Sequence, residues 1–173
     1  MHKLTNNHLN KKKIQLLITQ LLTAVGENLK RAGLIKTPIR VAKMYKELFG
    51  GYEIDPKSVF KVFDSEYYKG LVVVSDINFF SLCEHHLIPF YGKIHIGYAP
   101  NEKIIGLSKF TWLIEIFSKR LQLQERLTKQ INDTITKYLQ QLGVIVYCEA
   151  KHLCMNMRGV KNNGCKEKTL VKS

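Results

Sequence analysis

Lys93-Ile94-His95-Ile96-Gly97-Tyr98-Ala99 alternates, with Ile94, Ile96 and Tyr98 on one face. A period of two predicts a half-buried strand. Just upstream, Leu71 to Phe80 is β-branched and aromatic and reads as a second strand. Downstream, Pro100-Asn101 is a turn, and Ser108 opens a helix whose stripe is Phe110, Leu113, Ile114, Phe117 and Leu121. A second helix follows with Leu123, Leu127, Ile131, Ile135 and Tyr138/Leu139, ended by Gly143. Val144 to about Arg158 then reads as one long strand, with a polar tail to Ser173 that has room for a short last strand.

On the N-terminal side, residues 52–70 read as loop, with Asp55-Pro56 as a turn. Thr37-Pro38 looks like an N-cap followed by proline at the first helical position, and Val41, Tyr45, Leu48 and Phe49 line that helix up to Gly50-Gly51. Ile14, Leu17, Ile18, Leu21, Leu22 and Val25 mark a first helix, after a basic segment, residues 1–13, expected to be mobile. The expected layout is a helical segment over 14–51 and a sheet-bearing domain over 52–173 forming one functional unit. Strand pairs separated by helix pairs make the fold class α+β with an antiparallel sheet.

At 173 residues, 45% hydrophobic and 24% charged, the chain is an ordinary globular domain; this excludes collagen-like, low-complexity and wholly disordered readings. No apolar run approaches the roughly 18–20 residues that a membrane helix needs, and Met1-His2-Lys3-Leu4 lacks the layout of a secretory signal. The expectation is a cytoplasmic protein without a membrane partner. The net charge of +13 favours an anionic partner: nucleic acid, an acidic membrane surface or a phosphorylated small molecule. A solvated, lysine-rich surface explains the excess equally well, because only Lys11-Lys12-Lys13 is a dense run.

Four cysteines in such a chain point to metal or catalysis before disulfides. Two clusters carry them: Cys83-Glu84-His85-His86 after the first strand, and His152-Leu153-Cys154 within the third. Zinc prefers thiolate and imidazole. Cys83 and His86 meet only where the chain bends, and the strand end before Pro89 is such a place. If the third strand runs on, His152, Cys154 and Arg158 share one face. Cys83, His86 and Cys154 then make three ligands with a fourth position open, the pattern of catalytic zinc, and His85 and His152 remain beside the metal as proton carriers. The competing reading is buried cysteines and core histidines; five such residues in two tight clusters weigh against it.

These residues also carry a resemblance. Thr37-Pro38-Ile39-Arg40-Val41-Ala42-Lys43-Met44-Tyr45, Ser81-Leu82-Cys83-Glu84-His85-His86-Leu87, Ile105-Gly106-Leu107-Ser108-Lys109, Gln124-Glu125-Arg126-Leu127-Thr128 and His152-Leu153-Cys154-Met155 together resemble GTP cyclohydrolase I, in the family's order, over about residues 14–160. The resemblance implies one zinc per subunit on Cys83, His86 and Cys154, with His85 and His152 as catalytic histidines. It implies that Glu125 holds the guanine edge with Gln124 beside it. Arg40, Lys109 and Arg158 contact the triphosphate, helped by Ser108 and the adjoining backbone of Leu107. The implied reaction opens the purine imidazole ring of GTP, releases formate, and closes a new ring to give 7,8-dihydroneopterin triphosphate, at the head of pterin and folate synthesis. The implied fold is the tunnelling fold, an antiparallel sheet with a helix pair on one face. Its subunits close into five-membered barrels that stack in pairs as a homodecamer, with sites between subunits.

General chemistry agrees with these roles. One carboxylate accepts guanine's two neighbouring N–H donors, and arginine forks match phosphate. Without the resemblance, Glu125 reads as a helix-surface partner of Lys129, and Arg40, Lys109 and Arg158 as ordinary surface charge. Two features depart from the family pattern. Trp112 stands where an arginine is usual, three residues after Lys109. The tail Gly164-Cys165-Lys166-Glu167-Lys168-Thr169-Leu170 is charged and ends without a final helix. Competing readings are a related or degenerate tunnelling-fold enzyme of pterin or deazaguanine chemistry, and a basic zinc module for nucleic acid. The second explains the charge but not Glu125 in its motif, and no nucleic-acid motif is present, so no nucleic-acid partner is expected.

Overall fold

The computed structural model describes residues 9–65, 68, 70–139, 141–162 and 164–173. Two N-terminal helices, α1 (Lys11–Ala24) and α2 (Thr37–Leu48), lead through 3-10 turns at Gly50–Glu53 and Pro56–Val59. There follow β1 (Val62–Asp64), β2 (Val72–Cys83), β3 (Pro89–Ala99), β4 (Lys103–Ile105), α3 (Leu107–Ser118), β5 (Leu121–Gln122), α4 (Gln124–Leu139), β6 (Gly143–His152), α5 (Leu153–Asn156) and β7 (Glu167–Lys172). The main sheet has the order β5-β2-β3-β6-β7 and is antiparallel except where β5 runs beside β2. The expected α+β class is what the chain adopts.

The alternation read from Lys93–Ala99 sets the core. Ile94, Ile96 and Tyr98 of β3, Ile77 and Phe79 of β2, and Val144, Val146, Cys148 and Ala150 of β6 are buried. α3 and α4 pack on this face with Phe110, Leu113, Ile114 and Phe117 from the first helix and Leu127, Ile131 and Ile135 from the second. The opposite face leaves Phe80, Val73 and Leu170 exposed. At Gly92 the strands come unusually close: a Cβ there would lie 1.9 Å from the Glu149 carbonyl oxygen, so only glycine lets β3 and β6 pair at this point.

Several boundaries differ from the expectation. The third strand does not run to Arg158: β6 stops at His152, and Leu153–Asn156 forms a single helical turn. His152 and Cys154 are therefore not two residues of one strand face. Residues 52–70 are not all loop, because β1 pairs with β4. The first helix starts at Lys11, where the Asn10 side chain accepts from the Lys13 N–H, so Lys11–Lys13 are helical; residues 1–8 of the basic segment lie outside the described residues. Thr37 is inside α2 and Lys36 takes the cap position. α3 opens at Leu107, with Gly106 as its cap, and Leu121 belongs to β5 rather than to the α3 stripe. The last strand is fully formed: β7 pairs with β6 from Ala150 opposite Glu167 to Ile145 opposite Lys172. Among the described residues, no helix is long and apolar enough to cross a membrane.

Candidate metal centre and active site

β2 ends at Cys83, and the chain then folds back in a tight turn. The Leu87 N–H donates to the Cys83 carbonyl (2.8 Å) and the Cys83 N–H to the Ile88 carbonyl (3.0 Å), while the Glu84 N–H bonds the Gln122 carbonyl of β5 (3.0 Å). The turn brings His86 Nδ1 to 3.8 Å from Cys83 Sγ. Cys154, on α5, supplies the third donor, and the ligand atoms of Cys83, His86 and Cys154 all lie within 4.8 Å of one another. Tetrahedral zinc with bonds of about 2.0–2.3 Å holds its ligands roughly 3.5 Å apart. The trio fits such an ion after small side-chain adjustments, and its sulfur–nitrogen–sulfur donor set suits zinc. Burial and the neighbouring Cys83 sulfur push the Cys154 thiol above its ordinary pKa, and Arg158 opposes them. Cys148, outside the trio, is fully buried and its thiol is pushed up to about 12 by burial.

His152 closes β6 beside this group. Its ring lies flat on Phe90, with centroids 4.6 Å apart and planes 7° apart, because β3 and β6 pair Phe90 with His152. Its Nε2 is 3.0 Å from Gln124 Oε1 and 3.2 Å from Glu167 Oε2. Burial lowers its pKa below the ordinary imidazole value, partly offset by the Glu125 carboxylate. Such an imidazole is neutral near pH 7 and free to take up a proton. His85 is exposed next in the chain to His86, the two rings meeting edge to face at 6.1 Å.

Gln124 and Glu125 begin α4 and point to different surroundings. Gln124 is buried, and its amide nitrogen donates to the Cys148 carbonyl (3.2 Å) and to Thr169 Oγ1 (3.1 Å). Glu125 is exposed, yet near enough to affect both His152 and Glu167 electrostatically. Arg158, exposed after α5, is near enough to Cys154 to oppose the rise in its thiol pKa. Leu107 and Ser108 are exposed at the start of α3, and Lys109 Nζ sits 3.8 Å from the Trp112 ring centroid. Arg40 is exposed on α2. Among the described residues, Arg40, Leu107, Ser108 and Lys109 make no hydrogen bond or ion pair with the cysteine–histidine group of their own chain.

A model of GTP cyclohydrolase I matches residues 14–172. The chain belongs to the GTP cyclohydrolase I family. A GTP cyclohydrolase 1 of Streptococcus pyogenes is 51% identical over 159 residues, covering 91% of this chain and 82% of that protein. One from Clostridium perfringens (strain 13 / Type A) is 47% identical over 161 residues, covering 93% and 87%. Among solved structures, an archaeosine synthase QueF-Like in the apo form aligns with a TM-score of 0.47 and 14% identity, over 61% of this chain and 95% of that one. The match to the GTP cyclohydrolase I family extends through β7, past the residues near 160 where the sequence motifs end.

Two contributors to the site were not legible in those motifs. Arg126 of α4 forks onto Glu84, one bond measuring 2.9 Å, and so ties the helix to the turn that carries His85 and His86. That fork holds the Glu84 carboxyl below its ordinary pKa. Glu167, in the tail that read only as charged, reaches His152. Both pairs join residues apart in sequence, and only the Glu84/Arg126 charge complementarity was there to be noticed.

Proposed function

We propose that the chain hydrolyses GTP to 7,8-dihydroneopterin triphosphate with release of formate, as a zinc enzyme acting in the cytoplasm at the head of pterin and folate synthesis. The observation that carries this reading is the Cys83–His86–Cys154 group, with ligand atoms within 4.8 Å, beside a partly buried His152 in a chain of the GTP cyclohydrolase I family. When bound, zinc supplies a Lewis acid that makes hydroxide chemistry available near neutral pH. Cys83, His86 and Cys154 hold it; His85 and His152 do not, and move protons instead. His152 accepts and returns a proton as the purine imidazole opens, and His85 serves the same purpose at the opened ribose. Glu125 accepts the two N–H donors of the guanine edge. Gln124 lies beneath it with its amide committed to His152 and to the sheet, so it supports the purine site from inside.

Lys109, Arg158 and Arg40, with Ser108 and the Leu107 backbone at the start of α3, bind the triphosphate. A site assembled between subunits accounts for the lack, among the described residues, of any hydrogen bond or ion pair from Arg40 and Lys109 to the metal group of their own chain. Exposed apolar surface supports assembly: α1 buries no residue and leaves Leu16, Leu17 and Leu21 open, as is Val25 just after it, and Phe80 is 70% exposed. Closing the sheets edge to edge into stacked five-membered rings would cover such surface and remove the strand edges. The test is incubation of zinc-loaded protein with GTP, following the pterin chromophore and formate together. Formate without a pterin would place the chain at a ring-opening step only; neither product from a zinc-loaded oligomer would refute the reading.

A further inference from the structure

We propose that Glu167, the first residue of β7, is a positioning residue for His152 that fixes the imidazole as its Nε2–H tautomer. The inference rests on the reading of His152 as a proton carrier. Two oxygen atoms face the same ring nitrogen: Gln124 Oε1 at 3.0 Å and Glu167 Oε2 at 3.2 Å. The identity of the Gln124 atom follows from the rest of its amide. Its nitrogen donates to the Cys148 carbonyl, which only accepts, and to Thr169 Oγ1. Reversing the amide would set an oxygen against that carbonyl, so the oxygen must face His152. A carboxylate is likewise an acceptor. Nε2 therefore carries the hydrogen, and Nδ1, which has no hydrogen-bond partner among the described residues, holds the lone pair.

The strands explain why Glu167 reaches this far. Glu167 lies opposite Ala150 across the β6–β7 ladder, so it shares a sheet face with Ala150 and with His152 two residues on. Phe90 fixes the plane of the ring, the Gln124 oxygen accepts the hydrogen bond of Nε2, and the Glu167 carboxylate stands 3.2 Å from the same nitrogen as a negative group. Gln124 alone leaves the other tautomer within reach: an amide that gives up its single 3.2 Å bond to the Cys148 carbonyl and turns would donate to a lone pair on Nε2. The carboxylate of Glu167 cannot donate, and so admits only a ring nitrogen that bears hydrogen. The motif residues place His152; a tail residue outside those motifs selects which nitrogen does the chemistry.

The test compares Glu167→Ala, Glu167→Gln and His152→Ala as zinc-loaded full-length protein. Glu167→Gln keeps an acceptor, and kcat should stay within about threefold of the parent. Glu167→Ala should lower kcat by about tenfold, the worth of one hydrogen bond in the transition state, with zinc content unchanged and KM for GTP within about twofold. Nitrogen-15 magnetic resonance of histidine-labelled protein reads the tautomer directly, with His152 assigned by its loss in His152→Ala. The parent should show the Nε2–H form alone, Glu167→Gln a predominance of it, and Glu167→Ala a mixture. A pure Nε2–H form in Glu167→Ala would overturn the proposal. So would an unchanged kcat, a loss that tracks zinc, or a Glu167→Gln variant as impaired as the alanine. His152→Ala that still turns over would instead overturn the proton-carrier reading, and the spectra would still report whether Glu167 sets the ring.

Discussion

Replacing Gln124 by methionine tests whether the floor of the site is held by the amide. The side chain is 1% exposed and makes three bonds inside the protein: two donated, to the Cys148 carbonyl and Thr169, and one accepted from His152. Methionine has nearly the same length and keeps the packing against α4, but it removes all three. At a net worth of about 0.5–1.5 kcal/mol per hydrogen bond, the loss is about 1.5–4.5 kcal/mol. The apolar thioether returns part of this through burial, so about 1–4 kcal/mol is the expected cost. For a chain of this size each kcal/mol moves the midpoint by roughly 2–4 °C, which puts the thermal shift at about 2–16 °C. The assay is thermal unfolding at fixed protein and zinc concentrations, since assembly and metal both raise the midpoint. Gln124→Glu should unfold lower still, because it loses both donors and buries a carboxylate near Glu125 and Glu167. A Gln124→Met protein melting within about 2 °C of the parent would refute the assignment of these bonds.

Three further outcomes are expected. Glu125→Gln should weaken GTP binding by roughly tenfold to a hundredfold, since an amide group then faces a guanine donor, and should leave weak ATP binding unchanged; equal losses for both nucleotides would remove Glu125 from the guanine edge. Trp112→Ala frees Lys109 from a ring face worth about 0.5–1 kcal/mol at an exposed site, so KM for GTP should rise by about two- to fivefold, while Trp112→Arg should lower it with a steeper salt dependence; no change in either variant would take Lys109 out of the triphosphate site. The Glu84–Arg126 fork lowers the Glu84 pKa, so its contribution is full above the ordinary glutamate value of about 4.3 and fades as pH falls through the lower folded value. The deficit of Glu84→Gln in thermal stability, under about 1 kcal/mol for a largely solvated pair, should therefore be present at pH 7 and close below about pH 4; a deficit constant with pH would point to packing instead.

What the sequence disclosed depended on the length of each signal. β2, β3, β6, α3 and α4 were legible because each repeats its pattern several times. β1, β4 and β5 have three, three and two residues, too few for any period, and exist only through their partners. The burial of Gln124 was within reach: it stands three residues before Leu127 and seven before Ile131, on the stripe that α4 turns inward, whereas Glu125 falls off that stripe. That Cys83, His86 and Cys154 come together was legible because thiolate and imidazole in two tight clusters have few other uses. The reach of Glu167 to His152 was not, since it requires the β6–β7 register.

The error over Cys154 has a geometric cause that also explains the centre. Leu153-Cys154-Met155 looks like more strand because its residues are apolar. But β2 and β6 are not neighbours: β3 lies between them. Two strand spacings of about 4.8 Å would keep a Cys154 continuing along β6 some 9–10 Å from the line of β2. The ligand atoms nevertheless lie within 4.8 Å of one another. Both chains must therefore lean over the end of the strand between them. β3 begins at Pro89, with Leu82 paired to Pro89 on one side and Phe90 to His152 on the other, so β2 and β6 end level with its start. Past that level the 84–88 turn bends in from one side and α5 from the other, its turn closed by the Met157 N–H on the Leu153 carbonyl at 2.9 Å. A site bridging two strands across a third cannot be built from continued strand, and the helical turn after His152 is the consequence.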